Sequence, residues 1–477
     1  MFVRLITLVL GMLMTRILSG HFSLQEYGTY SQVLLMTTTI SSMTILGMMD
    51  GINFFFCKET EVEKRDAYIS TIFCLQYIIG IIVSLIVLAC TVPIAQYFNN
   101  DELKSLIIFV AALPILNNSI SLLQIMFIAI GEAKVIAIRN LIVSITKLLF
   151  IALACYVFND IVVILFFQLL SDALQITYFF ILLTKRNCKI NIARFDKSLV
   201  MEILRYCIPM AMFGVIKSLN RDSDKFVISF FTNTETLAVY TNASKILPFD
   251  IIMTSFCTVL LPYITRFISC KNYKKTQQIY KSFLELSYIS TTILASGAIC
   301  VAPELLRFLY SEKYATYSFS IIVFIIYTMV DILSILNITL VLSAAGKTKT
   351  IFLASIGTFF ANILLNIMFY FSMGEIGPAF ATFIVTLVQG VIMLRLSAKE
   401  MEASVSGLFS IKYLICFAFQ TGICFVLISL LRNFMVAHGI YYFITMMVCF
   451  ASYTGVLLLG NIKRLLYDLR EINIITN

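Results

Sequence analysis

Tryptophan is absent from the 477 residues, histidine occurs twice, proline seven times, and only 13% of the chain is charged. His21 and His438 lie far apart between apolar stretches, which excludes a histidine-built metal centre. Twelve cysteines sit mostly inside apolar stretches without paired or ligand-type spacing. That pattern excludes a zinc module and a disulfide framework, and the cysteines read as small apolar fillers. Without tryptophan, tyrosine must supply the interfacial aromatic belt. No polar segment is long enough to form a soluble catalytic domain.

What is present is overwhelmingly apolar: 60% of residues are hydrophobic and the mean hydropathy is +0.95. An α-helix needs about 20 apolar residues to cross roughly 30 Å of hydrocarbon. Such runs recur near 2–19, 29–52, 68–92, 105–130, 135–158 and 161–183, then near 206–231, 237–265, 282–302, 319–345, 350–371 and 376–394, and finally near 411–431 and 438–460. The fold expected is all-α and polytopic, with about fourteen transmembrane helices. The first 20 residues have no A-x-A cleavage tail and a second apolar run follows them, so they read as the first helix and not as a signal peptide.

The formal charge of +9 is not pooled in an arm or a stripe, so it gives no reason to expect nucleic acid. The even-numbered connections, their flanks and the tail hold 24 basic residues, whereas the odd-numbered connections hold only Lys104, Arg307, Lys313 and Arg432. Lysine and arginine are retained on the cytoplasmic side. Both termini are therefore expected to be cytoplasmic.

An internal repeat divides the spans. Glu26-Tyr27-Gly28-Thr29-Tyr30 opens the second span, and Thr236-Leu237-Ala238-Val239-Tyr240 opens the eighth, offset by 210. Pro93 and Pro303 share that offset; Gly131 and Gly346 differ by 215, and Gln175 and Gln389 by 214. Two six-helix copies entering from the same side are related by a pseudo-two-fold axis along the membrane normal, a build used by transporters that bind substrate near the midplane. The expected organisation is an N-terminal lobe (1–183), a cytoplasmic linker (184–205), a C-terminal lobe (206–396), and a final helix pair with a cytoplasmic tail (397–477).

Charges inside spans are the candidate functional residues, because each costs about 2.5 to 3.5 kcal/mol near the bilayer centre. The cations are Arg4, Arg16, Lys147, Lys217, Arg221, Lys225 and Lys245; the acids are Asp50, Asp172, Asp222, Asp224, Asp250 and Asp331. At 100° per residue, Lys217, Arg221 and Asp224 fall within about 60° of one another, with Lys225 beside them. One face of the seventh span is thus cationic. Asp224 can pair with Arg221 or Lys225 as a purely structural contact, and Arg16 can snorkel to the interface. Lys147 and Lys245 fit a ligand role and a structural one equally.

Arg16 followed by Glu26-Tyr27-Gly28-x-Tyr30, Asp224-Lys225-Phe226 leading into Ala238-Val239-Tyr240 and Lys245, Leu261-Pro262, and the Gly131 and Gly346 corners together resemble the polysaccharide flippases of the multidrug/oligosaccharidyl-lipid/polysaccharide exporter superfamily. The resemblance covers essentially the whole chain. It implies a two-lobed helical fold, alternating access, and export of an oligosaccharide carried on undecaprenyl diphosphate for O-antigen, capsule or exopolysaccharide synthesis. A polysaccharide polymerase and a chain-length regulator are the implied partners, beside the lipid-linked substrate and membrane lipid. Relatives carry a short polar leader, which leaves room for a start upstream of Met1.

On this reading Lys217, Arg221, Lys225, Lys245, Arg16 and Lys147 form the substrate-binding cations, and Asp224, Asp172, Asp331 and Asp50 balance charge or couple transport to H+ or Na+. No cofactor or metal is expected. Gly346-Lys347-Thr348 resembles the end of a P-loop, but Val341 stands where the loop's first glycine belongs, so membrane potential and not ATP is the energy source to consider. Two alternatives carry different chemistry: a cation-coupled multidrug antiporter, which calls for an acidic or aromatic cavity, and a membrane-embedded polymerase or glycosyltransferase, which calls for a sizeable external loop.

Overall fold

A computed structural model describes every residue except 1, 59–60, 186–189, 191–193, 246–248, 250 and 477. Asp250 and the side chain of Arg4 therefore lie outside the described residues. Among the described residues there is no strand. In the first half the helices are α1 (Phe2–His21), α2 (Leu24–Thr44), α3 (Met48–Lys58), α4 (Val62–Ala89), α5 (Thr91–Tyr97), α6 (Leu103–Ala129), α7 (Ala133–Leu153), α8 (Ile161–Lys185) and α9 (Lys197–Phe231). The second half follows with α10 (Thr234–Ala243), α11 (Ile251–Ser269), α12 (Tyr273–Cys300), α13 (Ala302–Tyr310), α14 (Glu312–Ala315), α15 (Ser318–Ser334), α16 (Leu340–Ala344), α17 (Thr348–Met373), α18 (Gly377–Glu400), α19 (Ile411–Ala437) and α20 (Tyr442–Thr476).

Among the described residues, ten helices are long and apolar enough to cross a membrane, or eleven if α2 and α3, bent by 42° at their junction, form one span. The count of fourteen is not reached by length and composition alone. α17 and α18 run together in that count as one stretch, Thr348–Glu400, although a short break at residues 374–376 separates them and they pack side by side. α1 and α11 are apolar but shorter. Large apolar side chains such as Phe419 and Leu459 are more than 70% exposed. That is the surface a lipid-facing helix presents, since its backbone is satisfied internally and its side chains meet hydrocarbon.

Local signals set the helix ends. Ser23 and Glu26 form a capping box on α2: the Glu26 N–H donates to Ser23 Oγ at 3.2 Å, and the Ser23 N–H donates to Glu26 Oε2 at 2.9 Å. Asp196 caps α9 by accepting from the Ser198 N–H at 2.8 Å and its hydroxyl at 2.6 Å. Those two donors hold the Asp196 carboxyl below the usual carboxylate range. Between α2 and α3 the backbone turns through Leu46 and Gly47, both left-handed, with φ of 44° and 66°.

The chain forms two compact units, Met1–Val239 and Tyr240–Asn477. In the first, α6 packs against α2, α3, α4 and α8, and α1 against α7. α9, the seventh expected span, packs in this unit against α2, α3 and α4, and the boundary between the compact units falls within α10. Close backbone approach explains this placement. A Cβ at Gly47 would lie 2.5 Å from the Cys207 carbonyl oxygen, and one at Gly28 would lie 2.2 Å from that of Thr234. Ahead of α9, Arg194 pairs with Asp66 at 2.5 Å, and within it Glu202 accepts from the Tyr68 hydroxyl at 2.6 Å.

In the second unit α12 is central and touches α11, α15, α19 and α20. Tyr280, Phe283 and Leu284 are fully buried on it, and Ile289 and Ile293 meet Phe417, Tyr453 and Leu457 of the final helix pair.

Candidate functional site

One polar site of the first unit is built on α7 and α8. Spacing explains why: Asp172 and Gln175 lie three residues apart on α8, which places them on one face. Gln175 Nε2 donates to Asp172 Oδ1 at 3.0 Å and to Ser171 Oγ at 3.2 Å. Lys147 Nζ reaches the same Asp172 oxygen at 3.0 Å, and Arg139 donates to Gln175 Oε1. The result is a hydrogen-bonded chain from Arg139 through Gln175 and Asp172 to Lys147. It lines a cavity of about 470 Å³ that α1 and α6 complete with Thr7, Asn117, Ser121 and Gln124.

Asp172 is only 1% exposed, while Lys147 is 32% exposed. The ammonium therefore neutralises a buried carboxylate and still opens to the cavity. Asp172 Oδ2 is buried without a hydrogen-bond partner. Arg139 differs from the sequence expectation: counted there with the basic connections, it is a helix residue 7% exposed, with its guanidinium 5.1 Å from the Phe179 ring centre. Its place at the polar end of the fifth span hid it, and the repeat landmark Gln175 was the signal that marks it.

The second site is on α9. Asp222 is the carboxylate that gathers the cations: Arg221 Nη2 lies 2.9 Å and Lys225 Nζ 2.7 Å from its two oxygens. Asp222 lies about 140° around the helix from Lys217 at 100° per residue. The long Arg221 side chain wraps sideways to reach it, a contact that helical-wheel geometry does not give. Arg221 remains 60% exposed, Lys217 is exposed, and Asp224 is buried. After Asp222 is paired, the outward face of α9 still carries surplus positive charge.

The other expected residues are dispersed. Arg16 is half-buried on α1 and Asp50 exposed on α3 in the first unit. In the second unit Lys245 lies over the Tyr310 ring at 5.7 Å, and Asp331 is buried on α15. Among the described residues no group of three histidine, cysteine or acidic side chains could hold a metal ion, and the cysteines in that set are free. Lys347 of the P-loop-like run faces Glu400 at 3.3 Å.

Two further ion pairs were not foreseen. On α12, Glu285 is fully buried against Arg464 of α20 and accepts from the Ser410 N–H at 2.7 Å. Just beyond the C-terminal end of α12, on α13, Glu304 receives Arg432 of α19 through Nε at 2.8 and 3.0 Å.

A family model described as polysaccharide biosynthesis protein matches residues 13–319. No protein of curated function matches the chain in sequence. Among solved structures, the lipid II flippase MurJ in its inward closed conformation is similar at a TM-score of 0.73 and 18% identity, over 97% of this chain and 99% of that one. An inward-facing multidrug resistance MATE family transporter of the MOP superfamily is similar at 0.69 and 12% identity, over 83% and 94% of the two chains. A MOP superfamily transporter from Pyrococcus furiosus, described by the reverse polarity of its binding pocket, is similar at 0.56 and 13% identity, over 84% and 93%. At these identities the likeness is one of fold.

Proposed function

The chain belongs to the polysaccharide biosynthesis protein family and has the fold of the MOP superfamily flippases, and we propose that it moves an oligosaccharide linked to undecaprenyl diphosphate from the cytoplasmic to the outer leaflet of a bacterial inner membrane. The observation that carries this reading is the exposed cationic face of α9. Lys217 is exposed on this helix, and Arg221 stays 60% exposed even as it shares Asp222 with Lys225. Charges in such a position face a polar path and not lipid. A diphosphate bearing sugars cannot cross hydrocarbon bare, since each unsatisfied polar group costs about 2 to 7 kcal/mol. Lysine and arginine offer it charge-assisted hydrogen bonds.

The cycle is alternating access, with the two six-helix repeats exposing the site to one side and then to the other. Moving negative charge outward from an inside-negative interior gains about 2.3 kcal/mol per charge per 100 mV, so membrane potential can drive the step. Asp172 carries an ammonium in Lys147, which supports a charge-balancing role for that pair. The reading places both termini in the cytoplasm, makes the protein a carrier and not an enzyme, and has it hand cargo to a polysaccharide polymerase and chain-length regulator of an O-antigen, capsule or exopolysaccharide route.

The test is charge reversal at Lys217 and Arg221, with lipid-linked oligosaccharide measured in each leaflet of inverted vesicles. Loss of outward movement in Lys217→Glu with Arg221→Glu, with the protein still folded, is the expected result. Unchanged movement sinks the cationic-path reading.

A further inference from the structure

A second cavity lies at the end of the first unit where α1 gives way to α2, α5 to α6, and α9 to α10. It measures about 740 Å³ and is lined by Gln25, residues 99–102 and residues 231–235. Ligand pockets span about 300 to 1,000 Å³, so the space is of ligand size. All three connections belong to the odd-numbered set, poor in basic residues. That set faces outward by the positive-inside rule.

The floor of the cavity is held rigidly. Asn100, 7% exposed, donates through Nδ2 to Thr29 Oγ1 at 2.8 Å and to Gln32 Oε1 at 2.7 Å, and accepts from the Glu102 N–H at 3.1 Å. Tyr97 ties the same segment to α9 by donating to the Phe226 carbonyl at 3.1 Å, with its ring 5.2 Å from that of Phe230. Asn99 sits left-handed at φ 48°, a conformation that asparagine adopts more readily than most residues. A polar group mounted on such a frame is pre-positioned and not free to fold away.

On this floor stand the exposed side chains of Gln25, Asn99, Asn233, Asp101, Glu102 and Glu235. They are held in place by one another and by the backbone: Glu102 accepts from Gln25 Nε2 and from Thr29 Oγ1, each at 3.1 Å, and Asn233 Oδ1 accepts from the Thr236 N–H at 2.8 Å, which leaves their remaining donor and acceptor positions turned to the cavity. An amide both donates and accepts, and a carboxylate only accepts. Interleaved, they complement ligands whose every polar group is a hydroxyl that donates and accepts at once. They do not suit a phosphate: three carboxylates repel it, and Lys104 is held by Asp101 at 2.7 Å. A metal is equally poorly served, as no group of three ligating side chains among the described residues could hold one.

We infer that this cavity is a saccharide-binding vestibule, which takes neutral or amino-bearing sugars by their hydroxyls on the side where cargo emerges, apart from the cationic face of α9 that attracts the diphosphate. The inference rests on the flippase reading for its biological cargo. Its chemistry makes an independent demand: affinity must follow sugar charge in the order cationic, neutral, anionic.

The experiment titrates chitosan trimer, chitotriose and trigalacturonate, all free of lipid and phosphate, against the full chain in lipid nanodiscs made without glycoside detergent, read by saturation-transfer NMR. Wild type should bind the cationic trimer most tightly and the galacturonate least. Gln25→Ala with Glu235→Ala, both exposed in the first turns of their helices, should weaken chitotriose at least five-fold with an unchanged unfolding temperature. Glu235→Lys should narrow the gap between cationic and anionic trimers. No binding of any trimer, a galacturonate preference, or chitotriose binding unmoved by the double variant each overturns the inference. If the vestibule fails alone, leaflet transport persists without trimer binding; if the flippase reading fails, trimer binding persists without transport.

Discussion

Lys147 Nζ lies 3.0 Å from Asp172 Oδ1, while the other oxygen of that carboxylate is buried without a hydrogen-bond partner. Asp172 is thus charge-balanced by one ammonium and held by one amide, with no spare donor. Removing a single partner of a buried pair costs about 3 to 5 kcal/mol, because a charge is left uncompensated. Lys147 is about one-third open to the cavity, so the lower end of that range, about 3 kcal/mol, is expected for Lys147→Met. Replacing both residues, Lys147→Met with Asp172→Leu, removes the charge along with its partner and should recover most of the loss. Denaturant unfolding of the purified protein checks both, and equal damage in single and double variants refutes the pairing.

On α9 the division of labour predicts two different phenotypes. Lys225 is mostly buried and pairs with Asp222, whereas Lys217 and Arg221 are exposed. Lys225→Met should lower folded yield. Lys217→Gln should leave folding within about 0.5 kcal/mol of wild type, the usual range for exposed substitutions, and Arg221→Gln, which gives up its bonds to Asp222 while Lys225 keeps that carboxylate paired, should cost about 1 kcal/mol. Their transport rates should nevertheless fall by about ten-fold each, as expected for loss of about 1.4 kcal/mol of charge-assisted binding. Thermal unfolding and leaflet assays on the same preparations separate the two effects.

The final helix pair is fastened at the middle of α12 and just beyond its C-terminal end. Glu304 of α13 meets Arg432 through a fork, with Nε and Nη2 both within 3.0 Å, and Glu285, midway along α12, meets Arg464. Lysine cannot reproduce the fork. Arg432→Lys should therefore behave nearly as badly as Arg432→Ala, with loss of about 2 kcal/mol or more. A cysteine pair across α12 and α19 should crosslink less completely in either variant. Full rescue by lysine would show that only the charge matters there.

The helices were legible because each span announces itself as an apolar run, although the stretch expected at 237–265 falls on two helices, α10 and α11, and that at 319–345 on α15 and α16. Partnerships were less legible. Asp222 gathers Arg221 and Lys225 through side-chain rotamers, and no spacing rule ranks it above Asp224. Arg139 lies near a span end, where positive-inside counting absorbs it as a topology signal, yet it is buried against Gln175. Glu285 opens its expected span and was passed over for the same reason, although it is buried completely. A residue near a span end is read as solvated, and only tertiary packing distinguishes the few that are not.

The motif residues on which the family resemblance rests are mostly architectural, and that gives the last prediction. Glu26 caps α2, and Tyr27 and Tyr30 are buried. Gly28 between them has the Thr234 carbonyl oxygen 2.2 Å from where its Cβ would stand. Backbone atoms cannot swing aside as a side-chain tip can, so Gly28→Ala must push α2 and α10 apart. Overpacking of this kind costs about 1 to 3 kcal/mol. Gly11 provides the control: it is also helical, with no neighbour within 4 Å of an added Cβ. Gly11→Ala should be neutral or stabilise by up to about 1 kcal/mol, since alanine favours a helix interior. Unfolding free energies for the two variants should therefore differ in sign or by at least about 1 kcal/mol. If Gly28→Ala is as harmless as Gly11→Ala, the close approach of Thr234 does not explain the glycine at this position.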